Sequence, residues 1–490
     1  FLSMAGKGKL DATLPLVDKA PSLWGDLLPK SNGIQLAFWF SVMQIGIKMF
    51  HGVFASYHMN MYLTVYGVSA AAMASVHSVF AIWNPVNDLI GAWISDKWAA
   101  SHNGARVNLM IPQVILWPIV CVLPFYPIMA QWLGIFWLAL LALCVEDTFF
   151  SWVMILMGGV WTDITSSEVE RVKISRLEQI FQQIGLPLVY MNFMMWTRAQ
   201  QSQHIGGFAH YFSFIAVAGG CVCLLALWKL RQVELDGLCA RGVLDETPRQ
   251  LNIVDFIKKL PSQKNLWCFI CMSVLNEMQS QFNAEFAAIF TDINLRNKFG
   301  VEARSSYLVF DHLCTFGATI ALNFYAQTHG VYSVWLYTVL LKVLAGLALL
   351  QMPLDASTAA AYFLFSCVCT SAAQSFFIVT VSNIVDEYRH NEGRHAPSVV
   401  GLCFGLHALI AKPLNSLGPV IGTYVFERAG WTGEAMRGPV TESSQLAAFR
   451  LMIGFPVLCG FLQILAWSFY DLRGEKLKQI QESLTRRHDD

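Results

Sequence analysis

Apolar stretches of about 20 residues recur along this 490-residue chain, separated by polar or Gly/Pro breaks. A hydrocarbon core of ~30 Å is crossed by about that length of α-helix, and a backbone surrounded by lipid must bond all its amides within the segment. A run of such stretches therefore folds as a set of packed spanning helices. Twelve candidates run from Ile34 to Tyr57, Ala70 to Ile94, Val107 to Met129, Leu133 to Gly158, Ile180 to Thr197, Ala209 to Leu230, Leu266 to Phe290, Tyr307 to Ala326, Val331 to Met352, Thr358 to Val381, Val399 to Phe426 and Leu446 to Tyr470. Charged residues make up 13% and hydrophobic residues 55%, against ~25% charged in soluble domains, which excludes a water-facing globule. With 33 basic and 33 acidic residues there is no clustered cationic excess for phosphate contacts, so no nucleic acid is expected. The predicted class is an all-α polytopic protein integral to a membrane, with lipid as its surroundings. The chain opens on Phe1 rather than Met, as a processed or partial product would. The first span starts too late for a signal peptide.

The longest polar interruption, Arg231 to Asn265, follows the sixth candidate span and divides the chain six plus six. That division predicts a tail over 1–33, six-helix bundles over 34–230 and 266–470, a linker over 231–265 and a polar C-terminal tail over 471–490. Two six-helix halves joined by a charged linker are the arrangement of the major facilitator fold. Of the 33 Lys and Arg residues, 23 fall on the side of the termini, 7 opposite and 3 within spans. The positive-inside rule makes the termini and linker cytoplasmic, or matrix-facing in an organelle.

An ionisable group at mid-membrane costs about 2.5 to 3.5 kcal/mol, so each needs a reason. Asn84, Asn87 and Asp88 share one face of the second span, at i, i+3 and i+4. The fourth span carries Glu146 and Asp147, the first Lys48 and His51, and the eleventh His407, Lys412 and Asn415. In the seventh, Glu277, Gln281 and Glu285 line one face over two turns. Two readings stand: these groups line a polar cavity that binds a solute or coupling cation, or they tie helices together, as Asp88 or Asp147 would with Lys412. The expectation is that Asp88, Asp147 and Lys412 meet where the halves meet. Asp96, Lys97 and Arg106 after the second span, and Asp386, Arg389 and Arg394 after the tenth, sit where charge-assisted hydrogen bonds would lock the cytoplasmic face. Asp96, Arg106, Asp386 and Arg394 are the gating candidates. Cys268 and Cys271 form a CxxC without a second pair or a His partner, so no metal site is expected.

The sequence Trp83-Asn84-Pro85-Val86-Asn87-Asp88, followed by Trp93-Ile94-Ser95-Asp96-Lys97, resembles the signature of the glycoside-pentoside-hexuronide:cation symporters. Asp147, Glu170-Arg171, Asp386 with Gly393-Arg394, and Lys412 occur in matching order. Phe50-His51-Gly52-Val53-Phe54, Asn283, Val385-Asp386-Glu387 and Ala411-Lys412-Pro413 are similar to an orphan animal branch of that family. The resemblance implies a twelve-helix facilitator fold. It also implies two acids one turn apart for sodium on the second span, but here Asn84 stands in place of one, with Asp88 retained. Lys48 takes the approximate place of a sugar-binding acid, and Glu178 or a neighbour that of a sugar-binding Arg.

Two functions follow. The first is a secondary transporter of an unidentified small solute or amphiphile, using Asp88, Asp147 and Lys412 with Lys48, and with a proton in place of sodium. The second is a facilitator-fold subunit that no longer transports and serves as a structural component of a membrane complex. No nucleophile elbow, phosphate loop or zinc-protease motif is present, so no enzyme and no cofactor are expected.

Overall fold

The computed structural model describes residues 32–165, 167–182, 205–240, 258–290, 301–352, 356–393, 398–415 and 442–489, with a few single positions between them. Every element among them is helical. The helices longer than two turns are, in chain order, α1 (Asn32–Asn60), α2 (Ala70–Ser101), α3 (Val107–Val122), α4 (Ile135–Ile164), α5 (Glu168–Gln182), α6 (Ile205–Ala240), α7 (Lys264–Phe290), α8 (Val301–His329), α9 (Val331–Leu350), α10 (Ala356–Gln374), α11 (Phe377–Glu392), α12 (Val400–Asn415), α13 (Glu442–Ser468) and α14 (Gly474–Asp489). Among the described residues, seven stretches are long and apolar enough to cross a membrane: α1, α3, α4, α6, α9, α13, and α10 with α11 as one run. The protein is thus an integral, multi-pass membrane protein. Five further expected spans fall elsewhere. Those on α2, α7 and α8 coincide with helices of 32, 27 and 29 residues, long enough to span. On α2 and α7 the polar residues of the candidate site lower the apolar content. Most of the fifth span, and the end of the eleventh beyond Asn415, lie outside the described residues.

Two separate cores divide the molecule. One is built from buried residues between Leu36 and Val233, among them Phe40, Phe50, Trp117 and Trp161. The other draws on residues from Leu266 to Ile480, around Phe269, Trp335, Phe363 and Trp467. Two residues cross over: Val172 of α5 packs into the second core, and Ile378 of α11 packs against the first. Outside them, large apolar side chains such as Trp132, Ile82 and Phe214 stand more than two-thirds exposed, as lipid-facing positions do.

Helix starts on the side of the termini are capped by carboxylates from distant elements. Glu234 of α6 accepts from the Arg106 and Val107 amides at the start of α3, at 2.6 and 3.1 Å. Glu168 accepts from the Val331 amide at the start of α9, at 2.8 Å. Each satisfies an amide that the helix itself leaves unbonded, and each places negative charge at the positive end of the helix dipole.

Three sequence boundaries need correction. The expected linker 231–265 begins as ten more residues of α6, with Val233 and Leu238 buried and Glu234 serving as the cap. Residues 241–257 lie outside the described residues. Asp96, Asp386 and Arg389 are not in loops: α2 continues past Ile94 to Ser101 and α11 to Glu392. The C-terminal tail is the amphipathic helix α14, whose Leu477 and Ile480 are buried against α11 while Lys478 and Glu482 face water.

Asp471, between α13 and α14, anchors this last helix. Burial alone would raise its carboxyl, but donation from Lys476 at 2.6 Å, Asn265 at 2.7 Å and Lys264 at 3.3 Å outweighs burial and holds it down at about 2. A carboxyl lowered in the folded state stabilises it above the ordinary value of 3.8 and ceases to as pH falls through the folded value. Docking of α14 should therefore weaken as pH falls from about 4 toward 2. Hydrogen exchange over 474–489, corrected for intrinsic rate, should rise across that window in the wild type and already be raised at neutral pH in Asp471→Asn.

Candidate functional site

The halves touch most closely along α2 and α12. A Cβ on Gly401 would lie 2.5 Å from the Ala92 carbonyl, and one on Gly405 would lie 2.7 Å from the Ala92 Cβ and 3.2 Å from the Leu89 Cα. These two glycines, four apart on one face of α12, let the backbones approach as small residues do between membrane helices. A side chain at either position would wedge the seam apart.

Midway along the seam, Lys412 of α12 reaches across to the other half. Its Nζ lies 2.7 Å from Asp88 Oδ2 and 3.6 Å from Asp147 Oδ1, and it donates to Asn84 Oδ1 and, at 3.3 Å, to Ser151 Oγ. Asn87 donates to Asp147 Oδ2 at 3.3 Å. Asn84, Asn87 and Asp88 thus act from one face of α2, as their spacing requires. Asp88 and Asp147 are buried, whereas the Lys412 side chain is 24% exposed. The ammonium is ringed by four side-chain oxygens.

The other candidates stand apart from this cluster. Lys48 is exposed and responds to the charge of Glu178 on α5. Its helical neighbour His51 pairs with Glu146 at 2.5 Å, and Trp117 donates to the same oxygen at 3.1 Å. Glu277 stays within the C-terminal half: Gln374 donates to its Oε1 at 3.1 Å, and His407 Nε2 lies 3.7 Å from the same atom. Between the halves, Trp161, Ser175, Glu178, Gln179, Gln374 and Phe377 border a cavity of about 180 Å³.

Toward the termini the seam is sealed by a second charge layer. Arg106, fully buried, donates to Asp163, to Asp96 at 3.2 Å, to Ser95 at 3.3 Å and across the halves to Ser398 at 2.7 Å. Arg389 of α11 donates to the other Asp163 oxygen at 2.5 Å. Asp96 accepts from the Gly401 and Leu402 amides at 3.0 and 2.9 Å, capping α12 from the opposite half. Arg171, also fully buried, donates to Asp386 at 2.7 Å and Asn383 at 2.9 Å. Asp96, Arg106 and Asp386 therefore share one closed layer, while Arg394 lies outside the described residues. Sequence reasoning passed over Asp163, the acid that joins Arg106 to Arg389. Its position at the end of a span, level with Arg106 at the start of the preceding one, was the available signal.

A family model described as "MFS/sugar transport protein" matches residues 39–474. The chain is 24% identical to the chicken (Gallus gallus) protein named Transmembrane protein 180 over 90% of this chain and 93% of that one. To the mouse (Mus musculus) protein of the same name it is 22% identical, over 92% and 95%. This is the orphan animal branch that the sequence motifs resemble. Solved structures share the fold. A bacterial homologue of the iron transporter ferroportin, in an outward-facing state, superposes with a TM-score of 0.58 at 12% identity, covering 90% of this chain and 100% of that one. FucP, a major facilitator transporter in an outward conformation, gives 0.57 at 10% identity over 90% and 98%. The proton:xylose symporter XylE gives 0.57 at 12% over 92% and 98%.

Burial ranks the two charge layers. Asp163→Ala leaves the fully buried guanidinium of Arg106, and with it the half-buried Arg389, short of an acceptor, a loss of about 3 to 5 kcal/mol for a fully buried pair. Lys412→Ala removes a partly exposed ammonium and should cost less. Thermal unfolding in detergent should show Asp163→Ala as the more damaging; the reverse order would contradict this ranking.

Proposed function

Because the chain belongs to the family described as MFS/sugar transport proteins, we propose that it is a secondary active transporter. It moves a small solute or amphiphile by alternating access of its two bundles, coupled to protons rather than to sodium. Its family and structural neighbours are transporters, not enzymes. The observation that carries the reading is the Lys412 ammonium, bridging from one half to Asp88 and Asp147 of the other at the middle of the pathway.

A structural tie alone does not need charge at that depth, where apolar packing of equal volume holds helices together at less cost. A transporter does need it, because a bridge between halves must be strong in one state and exchangeable for another partner in the next. The 24% exposure of the Lys412 side chain gives an incoming group access to it.

Proton coupling is favoured by the ring of oxygens. Asp88, Asp147, Asn84 and Ser151 are the donor set that a hard cation would use, and the lysine already occupies it. With Asn84 in place of a second acid, the set is one charge short of the sodium arrangement. Among the structural neighbours, FucP is described as a fucose:proton symporter and XylE as a proton:xylose symporter, which agrees with this choice. Glu178, which borders the cavity between the halves, and Lys48 on the adjoining α1 are the further charged groups near a solute there.

Vesicles containing the wild-type protein, incubated with a mixed metabolite and lipid extract under an inward proton gradient, should accumulate at least one compound over empty vesicles by mass spectrometry. Lys412→Ala should abolish that accumulation at equal incorporation. If the wild type accumulates nothing and Lys412→Ala instead lowers the yield of folded protein, the bridge is only a tie and the transport reading fails.

A further inference from the structure

His407 is 4% exposed, and its Nε2 is buried without a hydrogen-bond partner among the described residues. Nearest to it is the Glu277 Oε1 at 3.7 Å, too long for a hydrogen bond. A buried, unbonded nitrogen facing a carboxylate is unfavourable in either neutral tautomer: as a lone pair it repels the oxygen, and as an N–H it falls short of it. One added proton satisfies both groups, as an imidazolium–carboxylate pair that closes the gap. Phe377 and Phe269 flank the imidazole, with ring centroids 4.8 and 6.0 Å from it.

We propose that the Glu277–His407 pair of the C-terminal half is the site where the coupled proton binds. This deepens the transport reading above and rests on it. The pair has a route to water: the Glu277 side chain is 24% exposed, and Gln374, which bonds it, borders the cavity between the halves. One proton is taken up from water on one side of the membrane and the same proton is released to the other; no other bond forms or breaks.

The site also has a means of coupling. Four elements pack closely on α12: α2, α4, α7 and α11. Of the charged groups they carry, Glu277 of α7 and Asp88 of α2 act on the imidazole. From α4, Asp147 faces Lys412, and α11 turns the Phe377 ring to His407. Asp88 thus bonds Lys412 of the same helix that carries His407 five residues earlier, and its backbone lies against Gly405 of that helix. An imidazolium competes with the ammonium for Asp88 and loosens a bridge that must break for the halves to separate.

The test is an infrared pH titration of the full-length protein in lipid nanodiscs, following the imidazole ring bands and the carboxylate stretches between about pH 5 and 8. In the wild type an imidazolium band should appear as pH falls, and one carboxylate stretch should shift with it while remaining a carboxylate. Glu277→Gln should delete that shifting carboxylate component and move the imidazolium midpoint to a proton concentration about tenfold or more higher. His407→Gln should delete the imidazolium component, and Asp88→Asn should leave it in place. Size exclusion and thermal unfolding establish that each variant is folded, and Glu277→Asp offers a second carboxylate should Glu277→Gln not fold. If instead a carboxylic-acid carbonyl band titrates in this range and disappears in Asp88→Asn or Asp147→Asn, the proton sits in the N-terminal half and the inference is overturned while the transport reading stands. If no imidazole band titrates in this range in any form, the pair carries no proton and the inference fails, again independently of the accumulation assay.

Discussion

Asp88 and Asp96 lie eight residues apart on α2, about 12 Å along the axis, and both reach α12 of the opposite half: one its lysine, the other its first amides. This double contact depends on the seam being narrow enough for short side chains to cross, which the glycines at 401 and 405 against Ala92 make it. With larger residues at the seam, an aspartate would stop short: the Lys412 ammonium would lose its nearest counter-ion and the first amides of α12 their cap. Close packing at the seam comes first, and the electrostatics depend on it.

The two layers differ in what they do with burial. Arg106 and Arg171 are fully enclosed, and each has acceptors for several of its N–H groups. Such networks are costly to open, because every partner loses its counter-ion at once. The Lys412 cluster keeps a partly open side, and Asp88 Oδ1 has no hydrogen-bond partner among the described residues. A closed end and an adaptable middle are what a single half-cycle of alternating access requires.

Much of this was legible in the sequence. Apolar length located the helices, and the i, i+3, i+4 spacing of Asn84, Asn87 and Asp88 fixed their common face. The cost of mid-membrane charge then directed Asp88, Asp147 and Lys412 to one another. What escaped the sequence depended on partners distant in the chain. Gly401 and Gly405 carry meaning only once α2 is known to lie against them. Asp163 and Glu234 look like ordinary helix-end acids until the N-terminus of α3 is placed between them. The extent of α6 past Leu230 and the helical C-terminus were hidden because polar composition reads as loop, whereas an amphipathic helix on a protein surface needs only a few buried positions, here Val233, Leu238, Leu477 and Ile480.

The C-terminal half holds a further polar chain whose location constrains how the halves move. Lys342 of α9, 1% exposed, donates to Gln279 Oε1 of α7 at 2.5 Å, and Gln279 donates to Ser366 Oγ of α10 at 3.0 Å. One turn earlier on the same face of α7, Asn276 donates to the Thr370 carbonyl and to Gln374 Oε1. These bonds fasten α7, α9 and α10 into one body, since breaking any of them strands a buried polar group. Glu277 is carried on that fastened helix, and its partners Gln374 and His407 come from α10 and α12 of the same half. Rocking of one bundle against the other therefore leaves the Glu277–His407 pair intact and acts on the contact of α12 with Asp88. As the proposed proton site, a pair that travels whole with one half beside a bridge between the halves would convert occupancy into a change of access without being taken apart in the process.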